Sequence, residues 1–157
     1  PTRRSSDLMT NKEKDDLFYL CSLIEFIGRA TNNHRSYIVK QIGIKGLNKL
    51  YSLAEVNHCL SFEQVSDEVI EEYNIKKGNY DTISNCKYKV PNYRDIGANY
   101  KRLIINISKE QNKNIIDVLY KVFISIIPDA MSNFNSDFFY QNDSYFKACF
   151  LENKILN

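Results

Sequence analysis

Glycine is scarce in this sequence, with five residues in 157, and none of the motifs that depend on it is present. The chain has no Gly-x-Gly-x-x-Gly, no Walker-type loop and no Gly-x-Ser-x-Gly nucleophile elbow. These motifs hold phosphates or expose a nucleophile because only glycine allows the backbone to approach so closely. Enzymes that cradle nucleotide phosphates in glycine loops are therefore disfavoured.

An excess of charge of one sign is also lacking. The 21 basic and 19 acidic side chains leave a net charge of +2, and no run of five like charges occurs. Nucleic acids and anionic membranes attract proteins with a strong basic excess. We therefore do not expect a nucleic acid as the partner. No apolar stretch approaches the roughly 20 residues of a membrane span, and we expect no membrane association.

The four cysteines, Cys21, Cys59, Cys86 and Cys149, include no Cys-x-x-Cys pair. Cys21 and Cys149 fall within apolar helical patterns, where a thiol behaves as a small buried hydrophobe. Reduced cysteines of this kind are typical of the cytosol. We predict a cytoplasmic protein.

Helical periodicity is abundant in the first half of the chain. Thr10-Asn11-Lys12-Glu13 and Ser61-Phe62-Glu63-Gln64 both have the pattern of a capping box, in which two side chains and two backbone amides satisfy each other. The first predicts a helix over 11–30 that ends at Thr31–Asn33. A short second helix should stop at Gly43, a third should begin near Lys45 or Gly46, and a fourth should follow Ser61.

The pattern fails between Lys76 and Pro91, which predicts an irregular crossover near residues 77–91. A fifth helix should follow Pro91, and a sixth should be ended by Pro128, because proline disfavours helical geometry in the preceding residue. Residues 129–142 have no period, and a final helix is predicted over Asp143–Glu152. The fold class expected is a mainly α, single-domain bundle of six or seven helices, with halves 10–76 and 91–157. The predicted core includes Leu20, Ile24, Leu50, Ile70, Leu103, Leu119 and Phe123.

The first eight residues, Pro1 to Leu8, resemble the translation of a sequencing-adapter remnant fused to a gene. We expect a non-native, disordered leader over 1–8 and a single helical domain over 9–157. The alternative is a natural flexible basic arm.

The only histidines are His34 and His58. Glu55-Val56-Asn57-His58 places a carboxylate and an imidazole on one side of a helix, as di-metal bundles require, but no second copy of this pattern exists. We predict no metal and no cofactor, with His58 hydrogen-bonded near a helix end.

Arg29-Ala30-Thr31-Asn32-Asn33-His34 has an Arg-x4-His spacing that resembles the motif of the all-helical HEPN ribonucleases. That resemblance implies that Arg29 stabilises phosphate charge and that His34 transfers protons without a metal. The sequence departs from the family at Ala30, where a polar residue is usual. The alternative is a surface arginine that pairs with Glu25, beside a helix-capping histidine.

Four aromatic residues near the end of the chain, Phe134, Phe138, Phe139 and Tyr140, are candidates for a partner-binding patch. The alternative for them is core or lid packing.

The stretches 17–25, 46–60 and 61–65 together resemble small uncharacterised bacterial helical families, whose members are often encoded near mobile-element or toxin genes. The resemblance covers residues 13–75 and implies a binding or regulatory module. We therefore predict a non-catalytic protein-interaction or regulatory module of the antitoxin kind, with another protein as its partner. The alternative function is the metal-independent ribonuclease.

Overall fold

The structure, a computed structural model, describes residues 9–157. The leader predicted over 1–8 lies outside the described residues. Within the described part the chain is helical and contains no strand. Its α-helices are α1 (Asn11–Thr31), α2 (Arg35–Ser52), α3 (Ala54–Asn57), α4 (Phe62–Glu72), α5 (Tyr93–Gln111), α6 (Ile115–Phe123), α7 (Ile127–Met131) and α8 (Asp143–Glu152). The mainly α fold class is confirmed.

The two long helices α1 and α5 form the centre of the bundle and pack on each other more extensively than any other pair. Helix α2 packs on α1 and α6, α4 packs on α1, and α8 packs on α5. The buried apolar residues of both halves form one cluster. Six of the seven predicted core residues are buried in it, and Ile70 is half-buried at its edge.

The helix starts follow from their caps. The Thr10 hydroxyl accepts from the Glu13 amide at 3.1 Å, and the Glu13 carboxylate accepts from the Thr10 amide at 3.0 Å, which confirms the first capping box. The Ser61 hydroxyl accepts from the Gln64 amide, but the Gln64 side chain donates to Glu68 on the next turn instead of closing the second box.

One predicted helix end is confirmed and one is wrong. Gly43 has a φ of 76° and a ψ of 165°, which are not helical, so α2 consists of two helical segments that meet in a kink at this residue. The predicted stop at Gly43 is therefore confirmed, and glycine adopts this positive φ without strain. Pro128 does not end the sixth helix, which already stops at Phe123. Proline lies instead in the first turn of α7, where its missing amide hydrogen is not needed.

The crossover is irregular, as predicted, and is attached to the turn between α1 and α2. The amide of Gly78 donates to Thr31 O at 2.8 Å, and the amide of Tyr80 donates to Asn32 O at 2.8 Å. The side-chain amide of Asn33 donates to Lys76 O at 2.6 Å. The crossover therefore lies against the segment that contains Arg29 and His34.

Candidate functional site

A cluster of buried charges lies where α1 ends and α2 begins. Glu25 and Arg35 are both fully buried. Arg35 donates from Nε to Glu25 Oε1 at 3.0 Å and from Nη2 to Oε2 at 2.8 Å, which is the bidentate geometry of a strong pair. Arg35 Nη1 donates to Asn33 O at 3.0 Å, so this buried guanidinium is well supplied with acceptors.

Arg29 completes the cluster by donating from Nε to Glu25 Oε2 at 2.7 Å. Burial by itself would raise the pKa of Glu25, but the charges and hydrogen bonds of Arg35 and Arg29 outweigh burial and hold that pKa below its usual value. Burial likewise opposes the charge of Arg35, and Glu25 raises the pKa of Arg35 above its usual value. Both members of the buried pair are therefore ionised.

Gly28 leaves the space that this pair needs. A Cβ at position 28 would lie 2.6 Å from Cδ and 2.7 Å from Nε of Arg35. Real Cβ atoms do not approach other atoms so closely, and Arg35 is held by its hydrogen bonds to Glu25 and Asn33. A glycine within α1 is thus required by the buried arginine.

Tyr100 lies in the same interior. Its ring stacks on Phe123 at a centroid distance of 4.2 Å. Its hydroxyl is buried and has no hydrogen-bond partner among the described residues. Burial, with the negative charge of Glu25, raises the pKa of Tyr100 well above its usual value, so the hydroxyl stays neutral.

The structure gives Arg29 and His34 different partners. Arg29 Nη2 donates to Pro91 O at 2.7 Å, and its guanidinium lies 5.1 Å from the ring centroid of Phe134. His34, just before α2, meets Asp129 through Nδ1 at 2.8 Å and stacks on Tyr80 at 3.7 Å. Neither residue lines the cavity or the groove described below. The pairing of Arg29 with Glu25 is confirmed.

The four aromatic residues of the predicted partner-binding patch differ in exposure. Phe134 and Phe138 are buried, Phe139 is half-buried and Tyr140 is 71% exposed. A groove of about 310 Å³ nevertheless forms around three of them. Its lining consists of Tyr88, Lys89, Pro91, Phe134, Asn135, Ser136, Asp137, Phe139 and Tyr140. We call it the aromatic groove.

A larger cavity of about 770 Å³ lies at the other end of α1. It is lined by the first turns of α1, by α3, and by the starts of α4 and α5. His58 lines it with its ring 5.9 Å from Tyr19, and Glu55 of the same cavity pairs with Lys12 at 3.2 Å. Within residues 9–157 no group of three His, Cys, Asp or Glu side chains is placed to hold a metal ion.

Arg35 and the large cavity were not anticipated from the sequence. Arg35 directly follows His34 and has the appearance of a surface residue at a helix start. The available signal was Gly28, because a glycine inside a strong helical pattern often marks a close approach of another group. The cavity has no motif, since its residues come from three distant stretches of the chain, 12–22, 54–63 and 93–94.

Comparison with protein-family models, with curated proteins and with solved structures gives no significant match to this chain. Among the helices of residues 9–157, none combines the length and apolar character needed to cross a membrane. What the molecule can do chemically follows from its own residues and their geometry.

Proposed function

We propose that this chain is a non-catalytic protein-interaction module that holds an extended segment of a partner protein in the aromatic groove. The observation that carries the proposal is the exposure of two tyrosines there. Tyr88 is 68% exposed and Tyr140 is 71% exposed, and both line a groove that also contains Phe134 and Phe139. Tyrosine contributes strongly to binding when a partner covers it, because it supplies a large ring at a low entropy cost.

The groove is held in shape by the rest of the molecule. Its two segments are joined by Asn135, which accepts from the Lys87 amide at 2.8 Å and donates to Asn85 O at 3.1 Å. Arg29 supports it from the interior through the bond to Pro91 O and the contact with the Phe134 ring. A preformed groove loses less entropy when a ligand binds. Arg29 therefore acts on this site as a positioning residue.

In a bacterial cytosol such a module would regulate its partner, as an antitoxin restrains a toxin. The ribonuclease hypothesis has one favourable observation, the carboxylate of Asp129 beside a half-exposed His34. Against it, the Arg29 guanidinium is engaged by Glu25 and Pro91. The interaction module is the better supported of the two functions.

The test is selection from a displayed peptide library on the immobilised protein, followed by titration of the selected peptides. We expect Tyr88→Ala and Tyr140→Ala each to weaken binding about tenfold or more, the range of residues that dominate an interface. Tyr140→Phe should retain most of the affinity because it keeps the ring.

Val56→Ala is the matched control, since Val56 is 65% exposed and does not line the groove. It should bind the selected peptides like the wild type. Peptides that bind equally well to both tyrosine-to-alanine variants would contradict the assignment of the groove.

A further inference from the structure

The large cavity at the start of α1 has aromatic walls. Tyr19 and Phe62 stack at a centroid distance of 5.1 Å, and Tyr93 meets the edge of Phe62 at 5.0 Å. Phe18 also lines the cavity. Burial, with the negative charge of Glu68, raises the pKa of Tyr19 to about 12. The walls are therefore uncharged rings, whose faces attract cations.

The polar lining of the same cavity is predominantly negative. It contains four carboxylates, from Asp15, Asp16, Glu55 and Glu63, and two cationic side chains, from Lys12 and Arg94. Lys12 pairs with Asp16 at 2.7 Å and with Glu55 at 3.2 Å.

The other two carboxylates belong to Asp15 and Glu63. Both residues line the cavity, and within residues 9–157 neither forms an ion pair. Among the described residues, the cavity thus combines ring faces with two carboxylates that no cation pairs with. Its charge is complementary to a cationic group.

Arg94 shows how such a group fits. Its guanidinium carbon lies 5.1 Å from the ring centroid of Phe62 and 5.1 Å from that of Tyr93. The side chain is exposed, and within the described part of the chain it makes no ion pair. The rings of Phe62 and Tyr93 thus already receive a guanidinium, and it belongs to an exposed side chain that no ion pair among the described residues holds in place.

We propose that this cavity binds the guanidinium group of an arginine side chain presented by a partner peptide, and that Arg94 competes with it for the same ring faces. An apolar side chain of the cavity would contact the flanking peptide, since Leu60 lines the cavity and is 39% exposed. This site is separate from the aromatic groove and does not depend on it.

In the experiment, three short peptides are titrated into the full chain, and binding is measured by two-dimensional NMR and by calorimetry. The peptides are acetyl-Gly-Arg-Gly-amide, the same peptide with citrulline, which is a neutral isostere of arginine, and acetyl-Gly-Lys-Gly-amide. We expect shift changes at Tyr19, Phe62 and Tyr93 with the arginine peptide. The citrulline peptide should bind at least tenfold more weakly, because it lacks the charge.

The variants separate this mechanism from general acidity. Asp15→Asn and Glu63→Gln should each weaken binding of the arginine peptide severalfold, whereas Arg94→Gln should strengthen it severalfold by removing the competitor. Glu71→Gln is the matched control, since Glu71 is an exposed acid of α4 outside the cavity, and it should have no effect. Each variant must retain the wild-type circular dichroism and melting temperature.

Three results would overturn the proposal. Equal binding of the citrulline and arginine peptides would show that charge is not recognised. A loss of affinity in Arg94→Gln would show that Arg94 assists binding and does not compete. Equal affinity for free guanidinium chloride and for the arginine peptide would assign the cavity to a small organic cation instead of a partner.

Discussion

The two ends of helix α1 use the same kinds of side chain in opposite ways. At the C-terminal end, Glu25 and Arg35 have side-chain exposures of 1% and 0% and form a bidentate pair, with Arg29 as a second cation. At the N-terminal end, Asp15 and Glu63 are exposed carboxylates beside aromatic rings. The charges at the C-terminal end are buried and paired and stabilise the fold, whereas Asp15 and Glu63 form no ion pair among the described residues.

The difference follows from the cost of removing a charge from water. An ion buried without a partner is destabilising by several kcal/mol. Glu25 can therefore be buried near the C-terminal end of α1 only because arginine side chains contact it. An exposed carboxylate is hydrated and has no such requirement. The following three predictions concern residues at and next to the C-terminal end of α1.

The largest effect is expected for Arg35→Met. This change leaves Glu25 buried with Arg29 as its only cation, and we expect a loss of about 3–5 kcal/mol in the free energy of unfolding, measured by urea denaturation. The double variant Glu25→Leu/Arg35→Met should recover much of the loss, because an apolar pair of similar volume carries no desolvation cost. A loss below about 1 kcal/mol in the single variant would show that the pair is dispensable.

The sequence contained enough information for most helix positions but not for this pair. Thr10 and Glu13 form a capping box, a local pattern that predicts the start of α1. Helix α8 has the predicted bounds because Asn142 caps its first turn. Local patterns could not place Pro128, because proline is equally compatible with ending one helix or beginning the next. The Glu25–Arg35 pair depends on the angle between α1 and α2, which no short pattern encodes.

The candidate sites were less predictable for a related reason. The aromatic groove joins Tyr88 of the crossover to Tyr140, and the contact between these segments depends on the bonds of Asn135. All five aromatic and apolar residues of the groove lie in segments of the sequence without periodicity. Composition indicated a patch near residues 134–140, but only the folded chain shows that Phe138 is buried and that Tyr88 takes part.

Gly28→Ala is expected to have an intermediate effect. Alanine normally stabilises a helix relative to glycine by up to about 1 kcal/mol. Here its Cβ would lie 2.6 Å from Cδ of Arg35, and we expect a destabilisation of about 1–3 kcal/mol from the forced displacement. The control is Ala30→Gly, at an exposed position of the same helix. It measures how much the difference in helix propensity between alanine and glycine contributes to stability, without a close contact. If the Gly28→Ala variant is more stable than the wild type, the Arg35 side chain has room to move away from the added Cβ, and the close contact does not require glycine at position 28.

The smallest effect on stability is expected for His34→Ala, and the same variant decides between the two functions. The His34 and Asp129 side chains are 49% and 61% exposed, and exposed pairs of this kind contribute about 0–1 kcal/mol. We expect the melting temperature to change little. We also expect no cleavage of RNA by either the wild type or the variant with metal chelated, because the Arg29 guanidinium is engaged by Glu25 and Pro91 and a phosphate would have to displace both. Cleavage by the wild type that is lost in His34→Ala would instead show that this segment is catalytic, and the ribonuclease hypothesis would then replace the interaction module.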